Sequence, residues 1–447
     1  MRFTTILLSL LVAGCGCVFA QTSRLDVTLT EPGTLKSILG DKAMTVEELS
    51  VAGPMNKRDF NTLWKCSFSG ALASLDLSKA LPANNKIPDR AFLDTGESGK
   101  STVTRLKLTA IVLPENLERI GTDAFANLNI TSIDIPQTVR DLGGGAFENC
   151  RYLEGAPLVI PEGIEEIKGE CFMNCTAVTE FKLPSTLKVI GSHAFKNTGV
   201  NCKEIKIPEG VEVIERWAFN GSHIERVVIP ASCRSVESYA FQLCPDLVSI
   251  VFAEGSRVER IPEAFADFSP SLRELVLPDG LKEIWDLAFA GCESLTELKI
   301  PGTVTSIWPS AFIHNALEEI VIPESVGELG FLCFDQYAPQ KLRNIRSLRP
   351  VPPMVVGLEY YPFFEVVSPD THVYVPAGSA EAYRTSPGWN YFTNITEDPT
   401  SGIVDVFDAA GSGGADAGVI YDLMGRRVTN PLKGHLYIKG GKKYIHQ

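Results

Sequence analysis

Residues 94–102 read DTGESGKST, and Gly99-Lys100-Ser101 within them is the closing part of a phosphate-binding loop. Such a loop needs an earlier glycine five positions ahead, a buried strand before it and a helix after it, so that backbone N–H groups surround the anion. Here Asp94 stands in the glycine's place and sets a negative charge where the phosphate would lie. The triplet follows Ala91-Phe92 rather than a buried strand, and residues 103–108 (VTRLKL) alternate like a strand rather than a helix. The stretch reads as a Gly/Ser/Thr-rich surface loop, and neither a nucleotide nor any other cofactor is expected.

The other reactive side chains give no better site. Eleven cysteines invite a disulfide framework in an exported chain, but Cys15 and Cys17 fall in the leading segment and leave nine. Cys150, Cys175, Cys244 and Cys292 each come three residues after a recurring phenylalanine, and Cys171 and Cys333 replace the alanine before it, so they read as core positions. Cys150 and Cys175 occupy successive units, and a bridge between them needs Cα atoms within about 7 Å. Cys171-x3-Cys175 lacks the second close pair of a structural zinc site. The six histidines (His193, His223, His314, His372, His435 and His446) match no metalloprotease or nucleophile-turn spacing. No catalytic or metal-binding residue is expected; an enzyme would need a composite site assembled from distant units.

What must position any functional surface is a repeat. An apolar-x-apolar-Pro strand, a Gly or polar turn, Val/Leu-x-x-Ile and Ala-Phe return from residue 90 onward, with the phenylalanine at 92, 125, 147, 172, 195, 219, 241, 265, 289, 312 and 334. After a first gap of 33 residues the intervals run from 22 to 25, the mark of a solenoid. In CESLTELKIPGTVTSIWPSAF, alternation sends Leu298 and Ile300 inward with Glu297 and Lys299 outward, Pro301 ends the strand, and Val304, Ile307 and Phe312 face back to the core. One unit cannot bury this set alone, so units stack strand beside strand in a parallel sheet.

The units IPEGVEVIERWAF (207–219) and LPDGLKEIWDLAF (277–289) resemble the BspA-like leucine-rich repeats of exported Bacteroidetes-type surface proteins. The resemblance spans residues 45–397. It implies a β-rich α/β solenoid with terminal caps: LSVAGPMNKRDFNTLW is similar to the family's opening unit, and VYVPAGSAEAYRTSPGWNYFTNI to its closing unit, with Trp389 and Phe392 sealing the core. The expected organisation is a signal peptide (1–20), an N-terminal cap with a degenerate first repeat (21–89), the solenoid (90–346), a capping repeat (347–397), a linker (398–418) and a small β tail (419–447). The tail resembles the C-terminal sorting or anchoring domains of secreted Bacteroidetes proteins, although it ends in His446-Gln447 rather than in basic residues.

The apolar run of residues 6–13 is too short to span a bilayer and reads as an export signal. Val18-Phe19-Ala20 before Gln21 fits a signal-peptidase site, while Val12-Ala13-Gly14-Cys15 resembles a lipobox that would leave Cys15 lipidated. A net charge of −13 repels a phosphate backbone, so nucleic acid is not an expected partner.

The surface remains. Outward strand positions form two columns, Arg105, Ser132, Glu180, Glu204, Arg226, Ser249, Glu274, Glu297 and Glu319 in one, and Lys107, Asp134, Lys182, Lys206, Val228, Val251, Val276, Lys299 and Val321 in the other. At about 4.8 Å per strand and about 13 Å of width, eleven units give a face of roughly 650 Å², close to one side of a standard protein interface. The expected partner-binding face has Val228, Val251 and Val276 at its apolar centre and Lys182, Glu204, Lys206, Arg226, Glu297 and Lys299 as rim. The family resemblance implies adhesion to host or bacterial surface macromolecules, an extracellular protein or matrix component among them. Glycan capture is the competing class, and would show exposed Trp or Tyr on one face; Trp217, Trp285 and Trp308 instead fall near the Ala-Phe segment, opposite the strands.

Overall fold

The computed structural model describes residues 23–93, 107–155, 157–199, 202–359 and 362–398, and four short strands between residues 420 and 445. The phosphate-loop-like stretch, the leading segment with Cys15, Arg105 and nearly all of the linker lie outside the described residues.

The solenoid carries two rows of parallel strands rather than one. The first row is the expected apolar-x-apolar strand: in Arg226–Ile229, Val227 and Ile229 are buried while Arg226 and Val228 face out. The second row was read from sequence only as core positions. It consists of short strands at Val/Leu-x-x-Ile, such as Val213–Ile214 and Glu283–Ile284, whose second residue is buried and which pair in parallel from coil to coil. Two residues suffice where, as in these two strands, neighbouring coils hold both sides.

Tight bends connect the rows. The residue two before the repeat phenylalanine lies in the left-handed region at Asp123, Glu170, His193, Trp217 and Tyr239, and the residue two after it at Asn127, Asn149, Asn174 and Asn197. Asparagine tolerates this conformation better than other non-glycine residues. Here the four also link: the Nδ2 of Asn149, Asn174 and Asn197 donates to the Oδ1 of the asparagine one coil earlier, at 3.0, 2.8 and 2.9 Å.

The expected aromatic spine is present. All eleven phenylalanines from Phe92 to Phe334 are buried, with successive ring centroids 5.1–5.7 Å apart. Burial of each ring contributes about 1.5–3 kcal/mol. Eight of the ten successive pairs stack within 19° of parallel; the two involving Phe265 meet at 70° and 75°. The cause is a one-residue offset. Elsewhere the phenylalanine N–H donates to the carbonyl of the next coil's alanine, as Phe219 does to Ala240. Phe241 donates instead to Phe265, and Ala266 donates to Ala288, so Phe265 occupies the alanine slot and its ring enters the spine edge-on.

The cysteines do occupy core positions, all nine as buried free thiols. Cys150, Cys175 and Cys244 each donate to the carbonyl of the preceding coil's phenylalanine at 3.2 Å, and Cys292 donates to that of Ala266, the offset equivalent, at 3.4 Å. Ser269 and Asn315 make the same bond in other coils. Burial pushes the thiols up, to about 12 at Cys150 and Cys244.

The ends are closed. Strand Glu48–Met55 leads into helix Lys57–Phe68, where Asn56 accepts from the Arg58 N–H and Asp59 from the Asn56 N–H, and Phe60 packs edge-on against Phe92. At the other end Trp389 and Phe392 are buried against Phe363, Phe364 and Tyr383, and the indole N–H of Trp389 donates to the Pro353 carbonyl at 2.9 Å. The tail strands Ile420–Tyr421, Arg427–Val428, Leu436–Lys439 and Lys442–Ile445 are antiparallel, as their alternation around glycine turns implies.

Candidate functional site

The first-row sheet brings the expected apolar centre together. Arg226–Ile229, Ser249–Phe252 and Glu274–Val276 pair in parallel with Val228 opposite Val251 and Val251 opposite Val276. Val228 and Val276 are 54% and 45% exposed and Val251 is half-buried, which makes an apolar strip rather than scattered residues. Glu204 bridges to Arg226, which brings Lys206 to the strip's edge, and Lys182 lies exposed one coil further back.

Other expected positions are corrected. Ser249 is buried, because its short side chain sits between the longer Arg226 and Glu274. Glu297 and Lys299 are exposed but belong to no strand, and Leu298 is only half-buried, so the sheet stops after Glu274–Val276 and resumes at Glu319–Ile322. Lys107 precedes the strand it was placed in: the strand is Ala110–Val112, with Ala110 bridged to Ser132. Val112 and Val159, omitted from the sequence columns, also stand exposed on this face. The first row is several short sheets, not one continuous face of eleven strands.

A second feature lies on the other row, and sequence reasoning missed it. The residue after the second-row isoleucine normally donates its N–H to the preceding coil: Glu215 to Ile190, Glu237 to Ile214, Trp285 to Ile261 and Trp308 to Ile284, at 2.8–3.0 Å. In one coil that residue is Pro262, which has no N–H, so the Val236 carbonyl receives none. The same coil is longer. Nine positions separate the buried residues of the two rows in Val227 to Val236 and in Leu275 to Ile284, but eleven separate Ile250 from Ile261, and the added turn carries Arg257. Second-row strand pairing stops here, between Ser235–Val236 and Arg260–Ile261, as it also does between Asp141–Leu142 and Glu166–Ile167, where the spacing is nine and no proline stands.

A cleft of ≈ 700 Å³ opens over this seam. Its cations are Arg216, Arg234, Arg257, Arg260 and Lys282, and its carboxylates are Glu237, Glu259 and Glu283. Arg234 pairs with Glu212, and Arg260 donates to Glu283 at 2.7 Å while lying 4.5 Å above the Trp285 ring. The hydrogen bonds from Trp285 and Arg260 hold the Glu283 carboxyl below its ordinary range. Arg216 spreads over Trp217 at 4.3 Å and Tyr239 at 4.9 Å, rings that continue a stack begun at His193. The Glu237 carboxylate accepts from the Arg216 backbone N–H at 3.0 Å, but among the described residues no carboxylate lies within 4.0 Å of the Arg216 or Arg257 guanidinium or the Lys282 ammonium. The signals that could have located the cleft were the eleven-residue spacing and a proline at a donor position.

Among the described residues no group of three His, Cys, Asp or Glu side chains could hold a metal ion, and no helix is long and apolar enough to cross a membrane. The repeats themselves decide the family. The BspA type leucine rich repeat region matches the chain in six copies, over residues 99–223, 165–267 and 260–348, which is more than half its length. The chain belongs to the BspA-type leucine-rich repeat proteins.

Solved structures similar to this BspA-type chain include a leucine-rich repeat protein of Bacteroides ovatus, 22% identical, covering 79% of this chain and 84% of its own with a TM-score of 0.49. The pneumococcal vaccine antigen PcpA is 18% identical, with coverage of 79% and 80% and a TM-score of 0.44. A leucine rich cell surface protein of Faecalibacterium prausnitzii is 20% identical, with coverage of 68% and 88% and a TM-score of 0.38. No curated protein matches the chain.

Proposed function

We propose that this BspA-type protein is exported and acts without catalysis as a scaffold that binds an extracellular protein or matrix component through its first-row face. The observation that carries this reading is the in-register strip of Val228, Val251 and Val276 with Glu204, Lys206 and Arg226 beside it, an apolar centre with a charged margin of the kind found in protein interfaces. Rigid stacking favours the role as well, since a face held by coil-to-coil hydrogen bonds loses little conformational freedom on binding. Export is supported by the leading apolar run and by the family resemblance; anchoring, through Cys15 or the tail, is part of the same proposal.

The test is to immobilise residues 21–397 and measure binding of purified matrix proteins, glycans and bacterial surface extracts. A protein ligand whose affinity falls at least tenfold in Val228→Arg/Val251→Arg/Val276→Arg supports the reading. An unchanged affinity removes this face. Binding confined to glycans selects carbohydrate capture, and chemical turnover of the bound species selects an enzyme.

A further inference from the structure

We propose that the seam cleft beside Pro262 is a second binding site, and that its ligand is an acidic peptide segment of another protein in extended conformation. The inference rests on the opposite strand row from the valine strip and does not depend on it.

Three observations carry it. First, the chain is acidic overall, at −13, yet the cleft gathers five cations against three carboxylates. Arg257 and Lys282 are exposed and have no carboxylate within 4.0 Å, so a carboxylate arriving there displaces no existing partner. Arginine forks suit carboxylates, which they bind through paired N–H donors. Second, the seam leaves backbone groups unused on both sides. Among the described residues the carbonyls of Arg234 and Val236 accept no backbone N–H, and the N–H groups of Glu259 and Arg260, which in most coils donate across the row, have no backbone acceptor. Alternating donors and acceptors along a strand edge are what an extended peptide offers in return. Third, guanidinium groups already occupy aromatic faces: Arg216 lies over Trp217 and Tyr239, and Arg260 over Trp285, the indole that lines the cleft. A sugar ring stacking on those faces would have to displace a guanidinium, which argues against a sulfated or uronic-acid glycan as the occupant. The volume of ≈ 700 Å³ falls within the range of about 300–1,000 Å³ typical of ligand sites.

The experiment uses the full chain and a fluorescent ten-residue glutamate peptide, read by anisotropy at low ionic strength, with a ten-residue lysine peptide and heparin as comparison probes. The expected result is binding of the glutamate peptide but not of the lysine peptide, weakening as salt shortens the Debye length from roughly 30 Å toward 10 Å. Arg257→Glu/Lys282→Glu should lower that affinity at least tenfold, and the milder Arg257→Gln/Lys282→Gln should lower it by a smaller factor with the same melting temperature as the parent. The valine-strip variant should bind the peptide like the parent, which separates failure of this site from failure of the first-row face. No binding of the glutamate peptide, equal binding by the charge variants, or heparin binding to the cleft in preference to the peptide would each overturn the proposal.

Discussion

Phe195→Ala is the sharpest test of the fold's energetics. The Phe195 ring is fully buried, stacks on Phe172 at 5.7 Å and Phe219 at 5.2 Å, and receives Phe181 edge-on at 5.0 Å. A Phe→Ala change in a core costs about 3–5 kcal/mol, and the exact figure depends on how far the surroundings collapse into the hole. Collapse is restricted here. Phe172 and Phe219 stand two coil spacings apart, about 9.6 Å, and the bonds from Phe172 N–H to Ala194 and from Phe195 N–H to Ala218, at 2.9 and 2.8 Å, fix that separation. The expected loss is therefore in the upper half of the range, about 4–5 kcal/mol. It should also be local, because a solenoid's stability is close to a sum of coil and nearest-neighbour terms, and both interfaces of this coil are weakened. Urea unfolding of the full chain should show a lower midpoint or a second transition, and hydrogen exchange should show lost protection concentrated between residues 172 and 219. A loss under about 2 kcal/mol, or protection lost evenly along the chain, would refute the stacked-spine account.

Further outcomes follow from the same architecture. Asn174→Ala should cost about 1–3 kcal/mol in urea titration, because it removes two side-chain hydrogen bonds and places alanine at φ 60°; Asn174→Gly should recover the backbone part of that loss. The nine buried thiols should stay unreactive toward a thiol reagent in the folded chain at pH 8 and titrate fully after unfolding. Burial raises their folded pKa, to about 12 at Cys150, so their stabilising effect is intact below the unfolded value near 8.5 and is lost as pH rises from there toward 12. The urea midpoint should therefore fall as pH rises above about 9. Cys175→Val should cost more than Cys175→Ser, since serine restores the side-chain donor to the Phe147 carbonyl, which with valine keeps only the Cys150 N–H at 3.1 Å.

Much of this was legible because the signals are periodic. Phenylalanine every 22–25 residues and the cysteines set three places after it gave the spine and the core slots without any contact being known. The second strand row was not legible, because two-residue strands such as Val213–Ile214 carry no alternation to detect and exist only through pairing with their neighbours. The phase of a single coil was equally hidden: Ala264-Phe265 reads as the usual step, and only the backbone bonds show Phe265 one slot early. Of the candidate face, Val228, Val251 and Val276 were placed correctly by alternation, whereas Ser249 was misplaced because its burial comes from the neighbouring side chains Arg226 and Glu274 rather than from its own strand.

The departures from periodicity carry information of their own. From the buried first-row residue to the repeat phenylalanine the chain keeps fourteen residues in nearly every coil, as from Val227 to Phe241 and from Leu275 to Phe289, while the return from phenylalanine to the next strand is nineteen from Phe92 to Ile111 and thereafter varies from eight (Phe219 to Val227) to eleven (Phe147 to Leu158). Length is thus tolerated on one side of the coil and held on the other, which is where the second row must keep register. The coil of Ile250 breaks the rule on the held side, and does so where Pro262 also withholds its N–H. An insertion on the tolerant side costs little, since loop length is entropically cheap. On the held side it coincides with lost inter-coil hydrogen bonds, and it lies beside Arg257 and Lys282, whose charged ends have no carboxylate within 4.0 Å among the described residues; an opening with a use accounts for all three together.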